Sequence, residues 1–80
     1  MITVEKDSKA EEIVIHATPI ELREFAKQLW AISEKAELKG KHKQQFTPKS
    51  GSEVELLTKV QGDPRKYSIV KKLTISSKLG

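Results

Sequence analysis

Few side chains in this 80-residue chain could do covalent or acid-base chemistry, and their spacing does not favour it. His16 and His42 are the only imidazoles, and neither has a catalytic partner nearby in the sequence. His16 beside Glu12 is not a metal-ligand spacing, and no second histidine lies three or four residues away. Both read as solvated or satisfied surface histidines. Ser50, Ser52, Ser68, Ser76 and Ser77 are plentiful, but none stands in a Gly-x-Ser-x-Gly elbow. Gly40, Gly51, Gly62 and Gly80 are isolated, so no glycine loop is available to cradle a phosphate. With no cysteine there is no thiolate nucleophile, thiolate ligand or disulfide. The expectation is a non-enzyme with no cofactor and no metal.

The remaining chemistry is charge. Residues 1–40 hold six Lys or Arg against eight Asp or Glu, whereas residues 41–80 hold nine against three, within a net charge of +4. Lys41, Lys43, Lys49, Arg65, Lys66, Lys71, Lys72 and Lys78 could line a phosphate-binding surface whose affinity falls as salt rises. Against that, Phe25 and Trp30 belong to a helix stripe, and Phe46 and Tyr67 look inward, so exposed aromatics for base stacking are lacking. A single arginine accompanies these lysines, although arginine is the side chain that forks onto phosphate or guanine.

Five strands and one helix must position these residues. Ile2 and Val4, a turn at Asp7-Ser8-Lys9, and Ile13, Ile15 and Ala17 alternate as a β-hairpin. Thr18-Pro19-Ile20-Glu21 then forms a capping box with proline at the first helical position, and Lys39-Gly40 supplies a basic last turn and a left-handed cap. The helix is predicted over 19–39. Leu22, Phe25, Ala26, Leu29, Trp30, Ile32, Ser33 and Ala36 fall in an arc about 160° wide with Leu29 at its centre, which should be the core face. Residues 42–47 make a polar strand anchored by Phe46, and 48–51 a turn. Residues 53–60 alternate most clearly, with Val54, Leu56 and Val60 opposed to Glu55, Leu57 and Lys59. A further strand over 67–76 turns Tyr67, Ile69, Leu73 and Ile75 one way, while Lys71 falls wrongly among them. That misfit calls for a β-bulge or an edge strand.

The order ββαβββ predicts an α+β domain over 1–80: a mostly antiparallel sheet of four to five strands with one amphipathic helix packed on one face. The other face should stay open and carry Thr3, Glu5, Val14, His16, Glu55, Leu57, Lys59, Ser68, Val70 and Lys72. Val14, Leu57 and Val70, rimmed by His16, Glu55, Lys59 and Lys72, would make an apolar patch suited to a protein partner. The expected partner-binding residues are therefore Val14, His16, Leu57, Lys59, Val70 and Lys72. Apolar residues make up 36% of the chain, and no run approaches the roughly 18 residues of a membrane span. The first residues also lack the basic-then-apolar plan of a signal peptide. A cytoplasmic location with no membrane partner follows as the expectation.

The stretch EIVIHATPIELREFAKQLWAI, residues 12–32, carries a resemblance. A short hairpin, a helix of the form T-P-x-x-L-x-x-x-A-x-x-L through Thr18, Pro19, Leu22, Ala26 and Leu29, and a run of short strands resemble the immunity-protein-32 family of bacterial polymorphic toxin systems. The resemblance implies a small cytoplasmic antidote that binds a cognate toxin domain stoichiometrically and blocks it. It covers scaffold positions only and assigns no functional residue. The alternative is a small basic nucleic-acid-binding or regulatory protein whose second half makes weak contact with nucleic acid. The sequence leaves monomer and homodimer open.

Overall fold

The computed structural model describes residues 1–49, 51 and 54–80. Ser50, Ser52 and Glu53 lie outside the described residues, so part of the expected 48–51 turn and the first residue of the expected 53–60 strand do too. The fold is α+β, in the order β1 (Thr3–Asp7), β2 (Ile13–His16), α1 (Pro19–Lys39), β3 (Lys41–Phe46), β4 (Tyr67–Ile69) and β5 (Leu73–Lys78).

β1 and β2 form the expected antiparallel hairpin, with Val4 opposite Ile15 and Glu5 opposite Val14. Asp7 organises its turn. The carboxylate accepts the Glu11 amide at 2.8 Å and the Glu12 amide at 3.2 Å, which lets Ala10 adopt a φ of 55°. α1 keeps its expected bounds because both of its caps close. The Thr18 hydroxyl accepts the Glu21 amide at 3.2 Å and the Glu21 carboxylate accepts the Thr18 amide at 2.8 Å. At the other end Gly40, at φ 86°, donates to the Ala36 carbonyl at 2.8 Å and turns the chain straight into β3.

All strand pairings are antiparallel, but the strands divide between two sheets, β2-β1-β4 and β3-β5. The expected 67–76 strand is broken between them. Val70 extends the pairing of β4 by donating to the Val4 carbonyl at 2.8 Å, Lys71 and Lys72 are exposed in a bend, and β5 then joins β3. The misfit at Lys71 has this break as its cause. Val70, Leu73 and Ile75 all pack on the core, and residues 70 and 73 cannot share a face of one unbroken strand.

The 53–60 strand is likewise corrected. Its described residues form no strand; they make a single parallel bridge between Leu56 and Ile2. The Leu57 amide donates to the Ile2 carbonyl at 2.7 Å, and the Leu56 amide to the Thr47 carbonyl at 3.2 Å. Their alternation records burial rather than pairing: Val54 and Leu56 are buried, whereas Glu55 and Leu57 are half-buried. The segment closes the core between the start of β1 and the end of β3.

That core comprises Ile2, Val4, Phe25, Ile32, Phe46, Val54 and Leu56, with Ala36 also buried. α1 lies on β3 and β5, and the Phe25 and Phe46 rings meet edge to face with centroids 5.6 Å apart. The buried helix residues are Phe25, Ile32 and Ala36, which occupy only one side of the expected arc. Leu29, its expected centre, is 38% exposed, Leu22 49% and Trp30 70%, and Ala26 between them is exposed. The helix is rotated about its axis so that part of its apolar arc faces outward.

Candidate interaction surfaces

The sheet face expected to be open is covered. Thr3 is 1% exposed and Glu5 is fully buried, because the segment after Leu56 crosses that side of β1. Glu5 is the reason the crossing holds. Its Oε2 accepts the backbone amides of Gln61 and of Gly62, the latter at 3.2 Å, and its Oε1 lies 2.9 Å from His16 Nε2. Burial alone would push the Glu5 carboxyl up, but these two amides and the His16 contact outweigh it and hold the group below its usual range. Gly62 fits this contact tightly: a Cβ there would sit 3.0 Å from Glu5 Oε1 and 3.2 Å from the Tyr67 ring. Tyr67 in turn donates to the Glu12 carboxylate at 2.6 Å, a bond that, with burial, raises its hydroxyl pKa.

His16 thus has a carboxylate partner that its sequence neighbours do not supply. The hairpin register contains the signal, since Thr3 is opposite His16 and Glu5 is therefore one diagonal step away, within reach of a long side chain. Among the described residues no serine joins the pair in its hydrogen bonds, and both Glu5 oxygens are already engaged. The arrangement is a clamp on the 57–62 segment. A small cleft of about 220 Å³ beside it is lined by Met1, Thr3, His16, Ala17, Thr18, Glu21, Leu57 and Gln61. At its rim the Met1 amine lies 2.7 Å from Glu21, and this ion pair, with the Thr18 amide, lowers the Glu21 carboxyl to about 2.

The six expected partner-binding residues do not form one surface. Val14 and His16 share the Glu5 side of the hairpin, and Leu57 meets His16 at the cleft. Val70 is on the opposite side, packed on the core beside Val4, because β4 pairs with β1 in a register that sets Ile69, not Val70, across from Glu5. Lys59 and Lys72 are exposed on separate bends. Among the described residues, no group of three His, Cys, Asp or Glu side chains could hold a metal ion. No helix among them is long and apolar enough to cross a membrane.

The apolar surface that is open lies on α1. Leu22, Ala26, Leu29 and Trp30 are spaced i, i+4, i+7 and i+8, so they form a continuous strip beside the buried Phe25, Ile32 and Ala36. Arg23, Lys27 and Glu34, all exposed, border it on the solvent side. Three of the motif positions that carry the family resemblance, Leu22, Ala26 and Leu29, are therefore surface residues. No protein-family model, curated protein or solved structure matches the chain.

Proposed function

We propose that this chain is a small protein-binding module that neutralises a cognate bacterial toxin domain by stoichiometric binding, and that it docks the toxin on the exposed strip of α1. One observation carries the reading: the helix turns Leu22, Ala26, Leu29 and Trp30 outward although they belong to its apolar arc. A helical strip with anchors at i, i+4, i+7 and i+8 is the pattern by which a helix enters an apolar groove. Tryptophan is also the side chain that most often dominates such interfaces. Arg23, Lys27 and Glu34 supply the polar rim, setting orientation and association rate more than affinity. The partner is thus a toxin domain presenting an apolar groove with charged margins.

The test begins with the neighbouring gene: if it encodes an exported protein with a variable C-terminal domain, that domain is co-produced with this chain, reading growth rescue and a one-to-one complex on size exclusion. Trp30→Ala and Leu22→Asp should each abolish rescue while the isolated variants keep the parent's far-UV dichroism. Full rescue by both folded variants would remove the strip from the interface, and the lack of such a neighbour, or failure of the parent to protect against its domain, would overturn the antidote reading itself.

A further inference from the structure

The outer face of the β3-β5 ribbon has a composition that the protein-binding reading leaves unused. The ladder sets Lys41 opposite Lys78, Lys43 opposite Ser76 and Gln45 opposite Thr74, and all six side chains are exposed on the same face. The alternate residues Gln44, Phe46, Leu73 and Ile75 turn toward α1, and Gln44 reaches Gln28 on the helix at 3.4 Å. Directly opposed like charges lie about 5 Å apart at Cβ and destabilise a ladder. None of the three lysines has an ion-pair partner among the described residues, and an open cleft of about 700 Å³ runs along Lys41, His42, Lys43, Ser76 and Lys78.

We infer that this ribbon face binds the phosphate backbone of duplex nucleic acid without reading its sequence. The face carries no apolar side chain, so it cannot supply the dry centre that a protein interface is built around. A phosphate backbone needs none; it is contacted by lysine, serine, threonine and glutamine side chains, the inventory of this face. The absence of an aromatic removes the stacking platform that single strands use, which favours a duplex. Lysine, unlike arginine, engages phosphate as a point charge with no fork for base edges, so the contact is sequence-independent. The inference stands apart from the toxin-binding reading, since the ribbon's outer face points away from α1.

Anisotropy of a short labelled duplex, titrated with the whole chain at several salt concentrations, tests it. Three phosphate contacts give a slope of log K on log salt of about −2.7, so a fourfold rise in salt weakens binding about 40-fold. Lys41→Gln, Lys43→Gln and Lys78→Gln should each flatten the slope by about 0.9, whereas Lys59→Gln, which removes the same charge elsewhere, should leave it unchanged. Thermal melts separate this from damage, because losing Lys41 or Lys78 relieves the opposed pair and should not lower Tm. No duplex binding at low ionic strength, or an equal effect of Lys59→Gln, would overturn the proposal. Competition by polyglutamate as strong as by unlabelled duplex would overturn it too, in favour of an acidic protein.

Discussion

The rotation of α1 decides whether its apolar strip is available, and truncations on its two sides measure that rotation. Ile32 is 1% exposed and lies in the cluster with Phe25 and Phe46, so Ile32→Ala should cost about 2 to 5 kcal/mol through lost transfer energy and a cavity that cannot fully collapse. A core of this size supplies only about 3 to 5 kcal/mol in total, so the variant stands at the edge of unfolding. The milder Ile32→Val, at about 0.5 to 1.5 kcal/mol, keeps the measurement within range. Leu29, by the centre of the sequence arc, would be expected to cost as much as Ile32. With over a third of its surface already in water and solvent free to fill the vacated space, Leu29→Ala should cost about 1 kcal/mol. Trp30→Ala should stay within about 0.5 kcal/mol, as for other exposed sites. Urea melts followed by far-UV dichroism suit the comparison, because an exposed Trp30 changes its surroundings too little on unfolding to report well. At a slope of about 1 kcal/mol per molar urea, Leu29→Ala lowers the midpoint by about 1 M. Equal losses for Leu29→Ala and Ile32→Ala would mean that α1 buries the arc its sequence centres on Leu29, and the exposed strip would not exist.

Two further outcomes probe the clamp on the covered sheet face. Gly62→Ala, by pressing a Cβ onto the Glu5 carboxylate and the Tyr67 ring, should destabilise by about 1 to 3 kcal/mol in the same melts, and a neutral result would mean the 57–62 segment is not held against β1. Because the folded-state pKa of Glu5 lies below its ordinary 4.5, its contribution is present above that pH and fades as pH falls through the lowered value; Glu5→Gln should therefore flatten the parent's loss of stability between about 4.5 and lower pH, and an unchanged acid profile would refute the clamp.

What was legible in the sequence was local. The helix bounds follow from Thr18, Pro19, Glu21 and Gly40, whose capping chemistry is complete within a few residues. The hairpin follows from alternation across a short polar turn. Alternation failed as a guide to pairing at 54–60, where Val54 and Leu56 are buried by a segment with one bridge, since burial on every second residue needs an extended backbone and not a ladder. It failed again at 67–76, where only the tertiary break at Lys71 and Lys72 reveals that Val70 and Leu73 serve the same core. The six residues expected to share one open face do not share it, for a related reason. A period-2 pattern says which residues share a face, but whether a later segment covers that face depends on Glu5 capturing the amides of Gln61 and Gly62, more than 50 residues away.

That capture also explains why the helix can leave apolar residues outside. Without Val54 and Leu56, one helix would be the only cover for the inner faces of the strands, and more of its arc would be needed in the core. Instead Val54 and Leu56 seal one margin of the core, anchored by the clamped 57–62 segment that follows them, so α1 has only the inner face of β3-β5 to fill. Phe25, Ile32 and Ala36 suffice for that face, and Leu22, Ala26, Leu29 and Trp30 are released to the surface. The exposed strip is therefore coupled to the loop through the clamp. Loosening the clamp with Gly62→Ala should make the core draw on the helix flank, so a folded Gly62→Ala chain is expected to bind the proposed toxin partner more weakly although the substitution touches no residue of the strip. Retained affinity in that variant would show that the flank is exposed for reasons independent of the clamp.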